Sequence, residues 1–283
     1  MHPDLYCADK AAPPGSPAHY CLLGSDAGTR ATLGALWALE RELAGIMPEC
    51  REPAVARAKF DWWRTELRTL EGGTPQHPVT QALAPRLRAR GLDAARLLEC
   101  LEGHALVLDY DAWPNHAVLV QHALTPTGAT PARLAVELLG AAELPGAAAG
   151  AHELGLAHAQ FERLREVRAD ALRGHCTVPD DELAAHGLTH ADLLKPQTSA
   201  ATQALFAAQI VRIRATQARG LERLSPAARR ALTPLVVRAA LEAATLTEIE
   251  ADGLALLERR VELTPLRLLW QAWRARRRAR RGG

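Results

Sequence analysis

The sequence predicts an all-α fold in a single domain, and three observations carry that reading. Ala, Leu, Arg and Glu dominate the 283 residues, and all four are strong helix formers. β-Branched residues are few and aromatics make up only 4%, which disfavours a sheet. Apolar residues also recur at helical spacing through most of the chain, with no internal repeat and no marker of a second domain.

Residues 1–17, rich in Pro, Gly and Ala, read as an irregular N-terminal segment. From Thr29 to Met47, the residues Leu33, Leu36, Trp37, Leu39 and Leu43 mark a helix that Pro48 should stop. Glu52 to Leu70 reads as a second helix, with Val55, Phe60, Trp63 and Leu67 near one face, broken by Gly72-Gly73-Thr74-Pro75. His77-Pro78 opens a third helix to Arg90, and Asp93 caps a fourth running past Leu101. Asp109 to Pro114 is a connection. The helix after it should kink or break at Thr125-Pro126-Thr127-Gly128. Leu139 to Gly150 reads as a loop before a long helix from His152 to Leu172. A short helix should start at Pro179-Asp180-Asp181-Glu182. Helices are then expected at Ser199–Leu224, Ser225–Thr247 and Glu248–Leu257. The last starts at Thr264-Pro265, a cap followed by proline at the first helical position.

Composition excludes several functions. The formal charge of +2 is too small to imply a polyanion partner for the whole chain, and nucleic acid is not expected. Cys7, Cys21, Cys50, Cys100 and Cys176 are scattered and odd in number, which fits a reducing cytoplasm better than a disulfide framework or a zinc site. No apolar run approaches the ~20 residues that span a bilayer, and the start of the chain lacks a secretory pattern. No Gly-rich phosphate loop follows a strand, and Ser25, Ser199 and Ser225 lack a nucleophile elbow. His104, His116, His122, His152 and His158 form no His-Glu-x-x-His helix and read as structural, as does His77 before Pro78.

Several separated blocks agree in order and spacing with a known family. They are Arg30 to Arg41, Lys59-Phe-Asp-Trp62-Trp63-Arg64-Thr-Glu66, Thr74-Pro-Gln-His77-Pro78-Val79, Ala157 to Pro179, and the closing stretches Ile249–Val261 and Leu263–Trp273. Together they resemble the squalene/phytoene synthases, which join two isoprenyl diphosphates head to head. The resemblance implies an isoprenoid (terpenoid) synthase-like helical bundle over residues 18–273, with 274–283 as a basic C-terminal tail. It also implies a diphosphate and prenyl cavity touching Arg41, Arg165, Trp62, Trp63 and Gly128. The tryptophan pair otherwise reads as ordinary core, the commoner role of such a pair.

The departures bear on chemistry. The family's Asp-Asp-x-x-Asp falls here on Ala44, Gly45 and Pro48, so that metal motif is lost. The second acidic motif, Asp-x-x-Glu-Asp, reads Glu166-Val167-Arg168-Ala169-Asp170. In the exit segment, Gly-Arg-x-Tyr-x-Pro has become Gly174-His175-Cys176-Thr177-Val178-Pro179. Glu162, Glu166 and Asp170 lie at i, i+4 and i+8 on one helical face. They read either as a residual, weak magnesium site or as a solvated stripe paired with Arg163, Arg165, Arg168 and Arg173. No catalytic residue is assigned.

The C-terminal Trp270-Gln-Ala-Trp273, followed by six arginines to Arg281, reads either as a membrane-surface helix or as core with a solvated tail. The leading expectation is a divergent family member that binds an isoprenoid diphosphate or prenyl lipid without condensation and serves as an accessory protein with a protein partner. Leu36 to Ala44 looks similar to the family branch that assists assembly of respiratory complex I. The rival is an active prenyltransferase in isoprenoid or hopanoid precursor synthesis, completed by a partner subunit. A plain helical interaction module is the third class. The expected setting is cytoplasmic, peripheral on the inner membrane face.

Overall fold

The computed structural model describes residues 2–50 and 52–281. Among them there are α-helices, short tighter or wider turns and no strand; 75% of the chain is helical. In order the helices are α1 (Pro3–Ala11), α2 (Pro17–Leu22), α3 (Ala27–Glu49), α4 (Pro53–Arg68), α5 (Pro78–Arg90), α6 (Ala95–Ala105) and α7 (His116–Leu119). A π-helical stretch (Val120–Ala129) leads without a gap into α8 (Thr130–Leu138). Then come α9 (Ala147–Leu172), α10 (Asp180–Ala185), α11 (His190–Leu193), α12 (Ala200–Arg223), α13 (Pro226–Ala231), α14 (Thr233–Ala251) and α15 (Pro265–Arg281).

The central helix is α9, packed on by α12, the π stretch, α8 and α14. Small residues allow that: Gly150, Ala151, Gly155, Ala157 and Ala159 are all buried. At the tightest crossing a Cβ on Gly155 would stand 2.2 Å from the Gly128 carbonyl oxygen, and one on Gly128 would stand 2.3 Å from that of Gly155. The two helices meet backbone to backbone, which only glycine permits. This is the structural reason for Gly128.

Several sequence expectations change. The N-terminal segment is helical: His2 accepts from the Asp4 N–H, Pro3 starts α1, and Cys7 and Ala11 bury against α3 and α5. Pro48 does not stop α3, because it sits in the last turn, where its missing N–H forfeits a single bond. The expected break at Pro126 is instead a π stretch, where wider bonding keeps the chain continuous across the proline. The helix expected over Ser225–Thr247 divides at Leu232 into α13 and α14, and α9 begins earlier, at Ala147.

No helix forms over 248–257 as a unit. Gly253 ends α14 at φ +77°, and Leu254 N–H reaches back to the Ile249 carbonyl at 2.9 Å, a Schellman closure. The basic tail is not a separate segment either, since α15 runs unbroken to Arg281; positions 282–283 lie outside the described residues. Among the described residues no helix is long and apolar enough to cross a membrane, and all five cysteines are free thiols.

Candidate functional site

On α9 the three acids share one face, and each has an arginine. Glu162 faces Arg165 at 3.6 Å, Glu166 faces Arg260 at 2.7 Å, and Asp170 faces Arg173 at 2.6 Å. The stretch after α14 supplies part of this cover. Arg260 comes from it, Glu262 reaches Arg165 at 3.7 Å, and Arg168 donates to the Leu257 carbonyl. Arg165 also lies over the Phe161 ring. The carboxylate oxygens suit magnesium by chemistry, but the arrangement does not fit it. Each is matched to a guanidinium, and among the described residues no three His, Cys, Asp or Glu side chains gather as a metal would need.

At the end of α3, Arg41, Ala44 and Pro48 are exposed, and Gly45 is half-buried. The acids nearby are occupied elsewhere. Glu42 bonds Lys10 at 3.1 Å and accepts from the Tyr6 hydroxyl at 2.6 Å, while Glu49 bonds Lys59 at 3.3 Å. Nothing on this helix replaces the lost carboxylates at 44, 45 and 48.

The polar face of α9 continues one turn before its acids. His158, at i−4 from Glu162, holds the buried Glu242 of α14 at 2.7 Å, and Glu242 accepts from Gln217 of α12 at 3.0 Å. Near it on α3, burial pushes the Glu40 carboxyl up against the opposing charges of Arg238, His158 and Arg41, and Arg238 stacks 3.9 Å over Trp37. This polar cluster between α3, α9, α12 and α14 was missed, because its members stand 84 and 25 residues apart and no local motif joins them.

Trp62 and Trp63 belong to a different unit. Trp63 is buried and Trp62 is 47% exposed; the rings pack edge-on at 5.2 Å, and both lie against His77. The buried Glu66 carboxylate accepts from the backbone N–H groups of Gln76 and His77 at 2.7 and 2.8 Å and from the Thr80 hydroxyl. The Trp-Trp-Arg-x-Glu and His-Pro-Val blocks are therefore one clamp that fixes the entry to α5. Helix α4 packs on α3 and α6. The contacts of the tryptophan pair are with each other and with His77, while those of the α9 acids are with arginines.

The exit segment is partly buried and under-satisfied: the His175 Nδ1 and Thr177 Oγ1 atoms have no hydrogen-bond partner among the described residues. Thr177 borders a cavity of about 30 Å³ with Gln160 and Arg163, room for a water or two. Beside it, burial alone would push Glu182 up, yet hydrogen bonds from His116, Arg212 and Gln209 outweigh it and hold the carboxyl at about 2. Burial, then the Arg163 charge, depresses His104 to about 4.

Both shifts predict acid lability. A folded pKa below the ordinary one means stability is whole above the ordinary value and is lost as pH falls towards the folded value. For His104 that window runs from 6.5 down to about 4, and for Glu182 from 4.5 down to about 2. Melting temperatures should fall in two stages, with His104→Gln flattening the upper and Glu182→Gln the lower. An upper stage unchanged by His104→Gln would remove His104 as its cause.

A second feature lies on α15. Its inner face, Leu268, Ala272, Ala275 and Ala279, packs on α14, α13 and α2. Its outer side exposes Leu266, Leu269, Trp270 and Trp273, with Arg274 and Arg277 stacked over the two indoles.

Comparison with known proteins agrees with this fold. The family model described as squalene/phytoene synthase matches residues 14–267. The bovine (Bos taurus) NADH dehydrogenase (ubiquinone) complex I, assembly factor 6, is 26% identical over 280 residues, covering 96% of this chain and 83% of its own length. Phytoene synthase 3, chloroplastic, of Zea mays is 27% identical over 166 residues, covering 57% of this chain but only 39% of the maize protein. A dehydrosqualene synthase crystal structure superposes with a TM-score of 0.82 at 15% identity, over 97% of this chain and 95% of that one. Squalene synthase HpnC from Alicyclobacillus acidocaldarius gives 0.74 at 16% identity, over 89% and 94%. The resemblance read from the sequence blocks holds along nearly the whole chain, and the protein belongs to the squalene/phytoene synthase family.

Proposed function

We propose that this chain is a non-catalytic, accessory member of its family, one that holds an isoprenyl diphosphate or prenyl lipid without joining two of them. One observation carries the reading. The α3 positions that should face α9 with carboxylates are Ala44, Gly45 and Pro48, while each α9 acid is neutralised by an arginine. Magnesium, held by oxygen ligands, then has at most a weak seat at Glu166 and Asp170. The His158–Glu242–Gln217 cluster adds support. It sets polar groups along the stripe, whereas a carbocation reaction must keep polar groups and water away from the cation. Similarity to the bovine assembly factor over 96% of this chain favours a protein partner. The second reading, an active prenyltransferase, draws on the survival of Glu166 and Asp170 and on the fold shared with the dehydrosqualene synthase.

Titration of farnesyl diphosphate against tryptophan fluorescence tests the binding step. Saturable binding that magnesium changes little is the expected result. Failure to bind either the diphosphate or farnesol would leave a plain helical interaction module.

The proposal includes a membrane surface. The outer side of α15 pairs exposed indoles with arginines and carries no acid between Pro265 and Arg281, a pattern suited to an anionic interface. Because the inner face of α15 is packed, substitutions test this better than truncation. Sedimentation with vesicles containing phosphatidylglycerol should occur at low salt and reverse as salt rises. Replacing Arg274 and Arg277 by Gln removes about 1 kcal/mol each, so partitioning should fall more than about tenfold. Equal sedimentation of both proteins would end the surface reading.

A further inference from the structure

A groove between α12, α14 and α15 encloses about 470 Å³, within the roughly 300–1,000 Å³ that small-molecule sites occupy. Its floor is one face of α14, with Val236, Ala240 and Ala244 at helical spacing, and Ala275 of α15 forms one wall. Arg229 and Arg278 stand on its lining, and no carboxylate does among the described residues. The Arg229 guanidinium is only partly matched: one amino group donates to the Leu221 carbonyl at 2.7 Å, while the buried Nε has no partner among the described residues. None of the α9 acids lines the groove, and Glu242 and Arg238 occupy a different face of α14, although Gln217 on the lining also donates to Glu242.

We propose that this groove binds an anionic membrane lipid, one chain in the alanine-lined trough and its phosphate on Arg229 and Arg278. Apolar floor and unopposed cations match the two halves of such an amphiphile. Its α15 wall, Gln271, Ala275, Arg278 and Ala279, lies on the face of that helix opposite the exposed Leu266, Leu269, Trp270 and Trp273, so the lipid would be held away from that side. The proposal is therefore independent of the surface reading of α15, and the two can fail separately.

The test is native mass spectrometry of the full chain with phosphatidylglycerol or phosphatidylcholine in mild detergent. A one-to-one adduct with phosphatidylglycerol is expected, weakened about tenfold or more in R229Q/R278Q and absent in A240L/A244L, whose added side chains fill the trough. Phosphatidylglycerol vesicles should still sediment A240L/A244L. Equal adducts with both lipids, or an adduct kept by R229Q/R278Q, would overturn the groove; that variant alters two partly exposed arginines and decides the question even if A240L/A244L does not fold. Vesicle binding with no adduct overturns the groove alone. An adduct without vesicle binding upholds it and removes the surface reading.

Discussion

Given farnesyl or geranylgeranyl diphosphate and magnesium, the purified chain should form no squalene or phytoene above a no-protein background, measured as radiolabel extracted into organic solvent. Ionising an allylic diphosphate requires the leaving group's charge to be neutralised as it develops. One lost electrostatic contact in such a site is often worth ~10²–10³ in rate. Here three carboxylates are absent at Ala44, Gly45 and Pro48, and the remaining ones at Glu166 and Asp170 are held by Arg260 and Arg173. Writing aspartates back at 44, 45 and 48 should not restore turnover. The fold admits a side chain at 45, since the exposed Glu49 carboxylate, 3.2 Å from where its Cβ would be, need shift only slightly. His175 and Thr177 would still leave the exit segment polar and unpartnered. The triple variant should gain magnesium affinity by calorimetry while product stays at background. Robust product from the native chain would instead promote the prenyltransferase reading and require another set of residues to hold the metal.

What could be read in advance was local chemistry. His77-Pro78, Asp93 and Thr264-Pro265 each carry their own cap or start signal, and α5, α6 and α15 begin at Pro78, Ala95 and Pro265 accordingly. The absence of aspartates at 44, 45 and 48 was equally plain, since a motif is contiguous. What escaped depends on distant partners. A Pro-rich start reads as irregular, yet burial of Cys7 and Ala11 against α3 and α5 makes it helical. Pro126 reads as a break, yet the π stretch is held against α9 by the Gly128–Gly155 crossing. The acidic stripe was visible on α9, but Arg260, which pairs with Glu166, and Glu262, which pairs with Arg165, arrive some ninety residues later. The same holds for Glu242 beneath His158. Tertiary contact overrode local propensity in each case.

Glu66→Ala should be strongly destabilising, on the scale of Trp63→Ala and well beyond Trp62→Ala. The carboxylate is 4% exposed and serves the Gln76 and His77 N–H groups and the Thr80 hydroxyl at once. Alanine leaves the Gln76 and His77 N–H groups without this acceptor, while the Thr80 hydroxyl keeps the His77 carbonyl at 2.8 Å; at about 1–3 kcal/mol for a donor kept from water, and with Gln76 itself exposed, the loss is roughly 2–3 kcal/mol. Glu66→Gln keeps an acceptor oxygen and should cost about half as much. Trp63→Ala removes a buried indole and should cost about 3 kcal/mol or more. Trp62→Ala, at 47% exposure, should cost far less. Urea denaturation gives the order directly from the midpoints. If Glu66→Ala unfolds at the wild-type midpoint, the clamp is not what holds α5 in place. If, in addition, the tryptophan variants keep their stability but lose farnesyl diphosphate binding, then Trp62 and Trp63 line a ligand cavity after all.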